Sequence, residues 1–268
     1  MFDRKLLGSS LKDVFYTPDN DPGRSLDIYF PAVMHKKWPV VINVHGGAWS
    51  EGTKDWLGYS ADFPQHNIVG VSINYRLSPA VKAPLHLHDV KTAIRFLRAN
   101  AERFNLDPDW FGIMGHSAGG HLVSMAALTA GLGVHDDNTH YRKFSAQVQA
   151  VAPCSGPSSL EGIPAHDPEF SKMIFGTADP DAPIYREYSP ITYLRANLPP
   201  FLIVHGTADD VVDVKQGITL HEGLQKFGNY SELVLIDQAD HLFKIDGQSQ
   251  DELVKSKVMP FFIKYLNG

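Results

Sequence analysis

The chain has one cysteine, Cys154, among 268 residues. No internal disulfide can form, and so little cysteine fits a reducing compartment. No run of lysine or arginine stands out, and the net charge is −6 at pH 7. That sign opposes a phosphate backbone, so nucleic acid is not an expected partner. No apolar stretch approaches the ~20 residues needed to span a bilayer, and the opening Met-Phe-Asp-Arg-Lys-Leu-Leu-Gly lacks a signal-peptide core. A cytoplasmic protein with no membrane partner is expected. There is no internal repeat and no low-complexity tract. No G-x-G-x-x-G or Walker-type loop opens a helix, so nothing calls for a nucleotide cofactor, and no other cofactor is expected. The oligomeric state stays open, a homo-oligomer included.

With 43% hydrophobic and 20% charged residues, the chain suits one large α/β domain over 1–268. Lys12 to Thr17 and Ser25 to Phe30 read as a half-exposed hairpin around six turn formers, Pro18 to Gly23. From residue 39 onward, apolar β-branched runs alternate with helical periodicity. Strands are predicted over Pro39–Val44, Ile68–Asn74, Trp110–Met114, Ala146–Ala152, Phe201–Val204 and Glu232–Ile236. Helices lie between them and at the C-terminus, where Pro260 predicts a kink. The pattern implies a mostly parallel sheet of about eight strands with helices on both faces. Ser155 to Leu198 has little periodicity and reads as a small cap or insertion over the mouth of a site.

The chain is organised around residues 109–123. A short apolar strand runs into Gly115-His116-Ser117-Ala118-Gly119, and a helix follows at once. Gly115 and Gly119 leave room for a tight bend that lifts the Ser117 hydroxyl to a helix N-terminus, where amides favour negative charge. Upstream, the strand ending at Val44 leads into His45-Gly46-Gly47-Ala48-Trp49, a loop whose backbone can approach a reacting oxyanion closely. Downstream, Asp209 and Asp210 follow one strand and His241 follows the last. The chain order is Ser, Asp, His, which suits a serine hydrolase. His86-Leu-His88-Asp89 is not read as a metal site: spacing i, i+2 puts the imidazoles on different helix faces, and nothing completes a ligand set. His45, His116, His121 and His205 read as structural.

These stretches carry a resemblance. His-Gly-Gly-Ala-Trp (45–49), Asn-Tyr-Arg-Leu-Ser-Pro (74–79), His-Asp-Val-Lys (88–91), Gly-His-Ser-Ala-Gly-Gly-His-Leu (115–122), His-Gly-Thr-Ala-Asp (205–209) and Asp-His-Leu-Phe (240–243) occur in that order. Together they resemble the α/β-hydrolase fold, and within it the HGGG-type carboxylesterases related to hormone-sensitive lipase. The likeness is greatest to small bacterial acetyl-xylan and feruloyl esterase-like enzymes. Ala48 departs from the pattern, where many relatives carry a third glycine. The loop also resembles that of kynurenine formamidase, which leaves an amide substrate as the alternative.

The resemblance implies a serine carboxylesterase acting on a small-molecule ester, short-chain or carbohydrate-linked, without a metal. Ser117 is then the nucleophile and His241 the base. Asp209 is the triad acid, matching the family's spacing better than Asp210. The amides of Gly47, Ala48 and Ala118 form the oxyanion hole. Trp49 and Trp56 are expected to wall the acyl pocket. The insertion, rich in Pro, Asp, Ser, Gly and Ala, offers no tunnel for a long chain.

Overall fold

The computed structural model describes residues 2–56, 58–136, 140–163 and 167–266. Its centre is an eight-stranded sheet: β1 (Ser10–Phe15), β2 (Ser25–Tyr29), β3 (Trp38–Val44), β4 (Val69–Ile73), β5 (Leu106–His116), β6 (Ala150–Cys154), β7 (Phe201–Gly206) and β8 (Ser231–Ile236). The spatial order is β1-β2-β4-β3-β5-β6-β7-β8. Only β1 with β2 and β2 with β4 pair antiparallel; every other pair is parallel. A further two-stranded ribbon, β9 (Lys244–Ile245) with β10 (Gln248–Ser249), was not visible as periodicity, being only two residues a side.

Strand alternation sorts the core into two layers. Val40, Ile42, Val44 and Ile113 face one side, with α1 (Leu85–Ala99), α3 (Ala118–Leu128) and α6 (Lys215–Lys226). Val41, Met114, Ala152 and Val204 face the other, with the C-terminal α7 (Asp251–Leu266). Because β3 and β5 are covered on both faces, they read as unbroken apolar runs rather than alternating ones. The final helix continues through Pro260. It packs so closely that a Cβ on Gly112 of β5 would stand 2.6 Å from the Phe262 ring. The helical stretch between β4 and β5 divides at Asn100 into α1 and a short α2 (Ala101–Phe104).

The first hairpin departs from its half-exposed expectation. β2 is buried along nearly its whole length because β4 covers its second edge. The buried Asp27 is made tolerable there by Lys12 at 2.8 Å, Lys54 at 2.9 Å and the Asp13 amide at 3.0 Å. Within the 155–198 insertion, residues 164–166 lie outside the described residues. Around them are α4 (Pro168–Phe175), α5 (Pro183–Glu187) and a 3₁₀ turn over Pro190–Tyr193, each opened by proline where a helix can accept it. Ile174, Phe175, Tyr185 and Tyr188 are buried against the main core, so these large side chains of the 155–198 segment are taken up by packing. Among the described residues no helix is long and apolar enough to cross a membrane.

A very close backbone approach lies at the head of α3. A Cβ at Gly119 would fall 2.1 Å from the Val44 carbonyl oxygen and 2.6 Å from that of His45. Two backbone carbonyls cannot yield as a side-chain tip would. Gly119→Ala should therefore lose on the order of 3 kcal/mol in urea unfolding, at the upper end for overpacking. A loss under about 1 kcal/mol would show that this contact is not tight in solution.

Candidate active site

β5 ends at His116 and α3 begins at Ala118, leaving one residue for the reversal. That residue, Ser117, sits at φ 56°, ψ −122°, a conformation an L-residue adopts only when its surroundings hold it there. Its amide donates to the Cys154 carbonyl of β6 at 2.9 Å, and its carbonyl accepts from the His121 amide at 3.0 Å. Gly115 and Gly119 cannot be enlarged, since a Cβ on Gly115 would meet the backbone of Gly119 at 2.6 Å. The bend thus turns the Ser117 hydroxyl out of the sheet.

The hydroxyl lies 3.0 Å from His241 Nε2. His241 follows β8 on a turn closed by Asp240, whose Oδ1 accepts from the Leu242 and Lys244 amides at 2.9 and 2.8 Å. Asp240 is thereby occupied. The other ring nitrogen, Nδ1, meets the Asp209 carboxylate at 2.9 and 3.0 Å. Asp209 Oδ1 also accepts from the Val211 and Val212 amides at 3.0 and 2.8 Å, and His205 Nε2 lies 3.3 Å from Oδ2. Burial alone would raise this carboxyl's pKa. The hydrogen bonds from His205, His241 and the Val212 amide outweigh burial and hold it well below the carboxylate range. Of the two adjacent aspartates, Asp209 meets the histidine, while Asp210 is exposed. With Nδ1 turned to a carboxylate, Nε2 is the ring nitrogen that faces the serine hydroxyl.

The loop after β3 makes the third side. Gly47, Ala48 and Trp49 all have positive φ, 98°, 50° and 57°. Consecutive residues of this kind curl the backbone into a concave run of amides. Among the described residues, no acceptor takes the amides of Gly47, Ala48 or Ala118. Ala48 and Ala118 border a cavity of about 360 Å³ together with Ser117; Gly47 is not among the residues that border it. Alanine at 48 costs the loop only a positive φ, because the amide and not the side chain faces a ligand. The loop is braced from 74–79: the Tyr75 hydroxyl donates to the His45 and Gly46 carbonyls at 3.2 and 3.3 Å, and the Ser78 amide to Trp49 O at 2.9 Å. Arg76 anchors that brace to α1 through two 2.8 Å bonds to the buried Asp89. No role for Tyr75 or Arg76 is written in local periodicity; the 74–79 motif was their only trace.

The two tryptophans separate. Trp49 is buried, borders the Ser117 cavity, and packs against His121, Phe170 and Phe175. Trp56 does not border that cavity, which corrects its expected place beside the acyl group. It is 52% exposed, at the edge of a second cavity of about 530 Å³ bordered also by Gly46, His116 and Leu242. Its carbonyl is held by Asn43 Nδ2 at 3.2 Å, which ties this turn to the β3 strand rather than to the serine. Among the described residues, no three His, Cys, Asp or Glu side chains cluster as metal ligands.

The BD-FAE family profile matches residues 26–224, most of the chain. This chain belongs to the BD-FAE family. With it come the hormone-sensitive-lipase-like carboxylesterases of the α/β-hydrolase fold. Esterase LipC of Mycobacterium tuberculosis is 32% identical over 77% of this chain and 53% of its own length. Esterase LipQ of the same organism is 31% identical over 94% and 58%. The chain thus spans about half the length of the curated relatives it matches. A truncated carbohydrate esterase from gut microbiota superposes with a TM-score of 0.85 at 26% identity, covering 98% of both chains. Thermogutta terrifontis esterase 2, solved with propionate bound, gives 0.76 at 26% identity, covering 98% and 97%.

Two outcomes test this geometry. Ser117→Ala should lower kcat for ester hydrolysis by about 10⁶, and Asp209→Asn by about 10⁴ because the amide favours the wrong tautomer. Asp210→Asn should cost far less, and the reverse ranking of the aspartates would reject the Asp209–His241 link. The second outcome concerns pH. Burial, the largest influence on each, lowers His45, His116 and His121 to about 4 and His86 to about 3. These imidazoles stay neutral in the folded state but take up protons once unfolded, below about 6.5. Unfolding then binds protons, so stability should fall as pH drops from about 6.5 toward 4, by on the order of 1 kcal/mol per pH unit for each such histidine. Urea titrations at pH 7 and 5 measure this; equal stabilities would contradict it.

Proposed function

We propose that this protein is a serine esterase that cleaves short acyl esters, acetyl-type or carbohydrate-linked, through an acyl-enzyme. The observation that carries the reading is the unbroken line Ser117 Oγ–His241 Nε2, His241 Nδ1–Asp209, ending on a cavity flanked by unpaired amides. His241 removes the Ser117 proton as Oγ attacks the ester carbonyl. The carbonyl oxygen becomes an oxyanion and takes the Ala118 and Ala48 amides, with Gly47 adding its own. Each such donor is worth roughly 3 kcal/mol in the transition state. The tetrahedral intermediate collapses, His241 gives its proton to the departing alkoxide, and the alcohol leaves. Water then repeats the cycle on the acyl-serine, with His241 again as base, and releases the acid. Asp209 remains ionised throughout and stabilises the imidazolium formed in each half.

The short-acyl preference rests on Trp49. Its ring is wedged between His121, Phe170 and Phe175, so it cannot swing aside without unpacking the insertion. The Thermogutta terrifontis esterase 2 structures with propionate and with butyrate bound support a small acyl group by likeness.

A panel of nitrophenyl esters tests this. kcat/KM should fall from acetyl or butyryl to dodecanoyl, steepening once the pocket is full, since each methylene adds at most ~1–3 kcal/mol. Trp49→Ala should move the optimum to longer chains. A wild-type optimum at about ten carbons or more, beyond the point where a small pocket fills, would point to a lipase. Faster turnover of N-formylkynurenine than of every ester would point to an amide hydrolase instead.

A further inference from the structure

The Ser117 cavity has polar equipment that the acyl transfer does not use. Gln216 stands in the first turn of α6 and borders the cavity. Its Oε1 accepts from the Ser158 and Ser159 amides, both at 2.8 Å. Amides can only donate, so the atom facing them is the oxygen, and the orientation of the side chain is settled by that pair. The remaining half of the group, the Nε2 donor with its two protons, meets no acceptor among the described residues. Across the same cavity, the exposed Glu161 belongs to the insertion, and its carboxylate accepts no hydrogen bond among the described residues. The third polar group, Asp213, is already engaged by the Lys215 amide at 2.9 Å. No lysine or arginine borders the cavity among the described residues.

We propose that Gln216 Nε2 and the Glu161 carboxylate form a donor–acceptor pair that recognises an uncharged, hydroxyl-bearing alcohol, the leaving part of the ester. This inference rests on the serine-esterase reading of Ser117. An acetyl group fills little of about 360 Å³, so most of the space belongs to the alcohol. A sugar hydroxyl can accept from Nε2, and a neighbouring hydroxyl can donate to Glu161. A carboxylate or phosphate on the same alcohol satisfies Nε2 but faces the Glu161 carboxylate, which has no cation beside it among the described residues, and is repelled; Asp213 is partly offset by Lys215 Nζ at 4.0 Å and adds little. Specificity then resides on the insertion and α6, apart from the triad.

Gln216→Glu isolates the donor. It retains an oxygen for the Ser158 and Ser159 amides and replaces the NH₂ donor by a negatively charged acceptor. With a xylo-oligosaccharide acetate and 4-nitrophenyl acetate as substrates, the ratio of their kcat/KM values should fall about tenfold, chiefly through KM, for loss of one hydrogen bond and its replacement by an unfavourable one. Glu161→Gln should raise kcat/KM for an acetylated glucuronic acid relative to the xylose acetate several-fold, more strongly at low ionic strength. Ratios unchanged in both variants overturn the proposal. So does an equal decline on both substrates in Gln216→Glu, which marks a structural role for the 158–159 clamp. Labelling of Ser117 by a fluorophosphonate separates the two levels. Labelling with unchanged ratios refutes recognition alone; a wild-type protein that neither labels nor turns over any ester refutes the catalytic reading and this one with it.

Discussion

The catalytic end of the molecule depends on how closely the head of α3 lies against the end of β3. Gly119 fits beneath the Val44 and His45 carbonyls with no room for one more carbon, and Gly115 fits against Gly119 itself. That contact brings the serine turn and the 45–49 loop within reach of one reacting group. It also forces the cost of the turn onto Ser117, whose backbone is held in a sparsely populated conformation. Five parallel strand pairs, running from β4 to β8, make the base rigid enough to sustain such strain. A loop that could relax would lose it.

Around this contact the chain places histidines as spacers and props. His116 donates from Nε2 to the His241 carbonyl at 2.7 Å, steadying the turn that presents the catalytic ring. His205 donates to the Val212 carbonyl at 2.8 Å, behind Asp209. His121 donates to Tyr188 O at 2.7 Å and stands edge-on to Trp49. Burial keeps His116 and His121 uncharged, so they brace the site without adding positive charge beside His241. The insertion joins the same framework: Gln216 clamps its 158–159 segment, and the Leu160 amide is held by Ser189 Oγ at 2.8 Å. Groups of this segment that border the Ser117 cavity are therefore positioned by the α/β core and not by the segment alone.

Much of this was legible locally. The strand periods, the serine between its glycines, the Gly-Gly loop and the order Ser, Asp, His are properties of short stretches, and an eight-stranded, mostly parallel sheet follows from buried strands alternating with amphipathic helices. Other features were not legible, for physical reasons. The burial of β2 comes from β4, which lies beyond it in sequence. Trp56 borders a different cavity, and its backbone carbonyl is held by Asn43, thirteen residues away in the chain. The helices of the insertion are short and opened by proline, so they show little period; tertiary contacts through Ile174, Tyr185 and Tyr188 stabilise them.

By itself, then, the sequence determined the class of sheet, the position of the nucleophilic turn and the candidates for base and acid, because each is encoded by residues near one another along the chain. The tertiary structure decided between Asp209 and Asp210. Neighbours in sequence point in different directions, and only the Asp209 carboxylate meets the His241 ring, at 2.9 Å. It also decided which tryptophan faces the serine and which half of Gln216 remains free. These are questions of direction, and side-chain direction is settled by long-range packing and hydrogen bonds that no window of sequence contains.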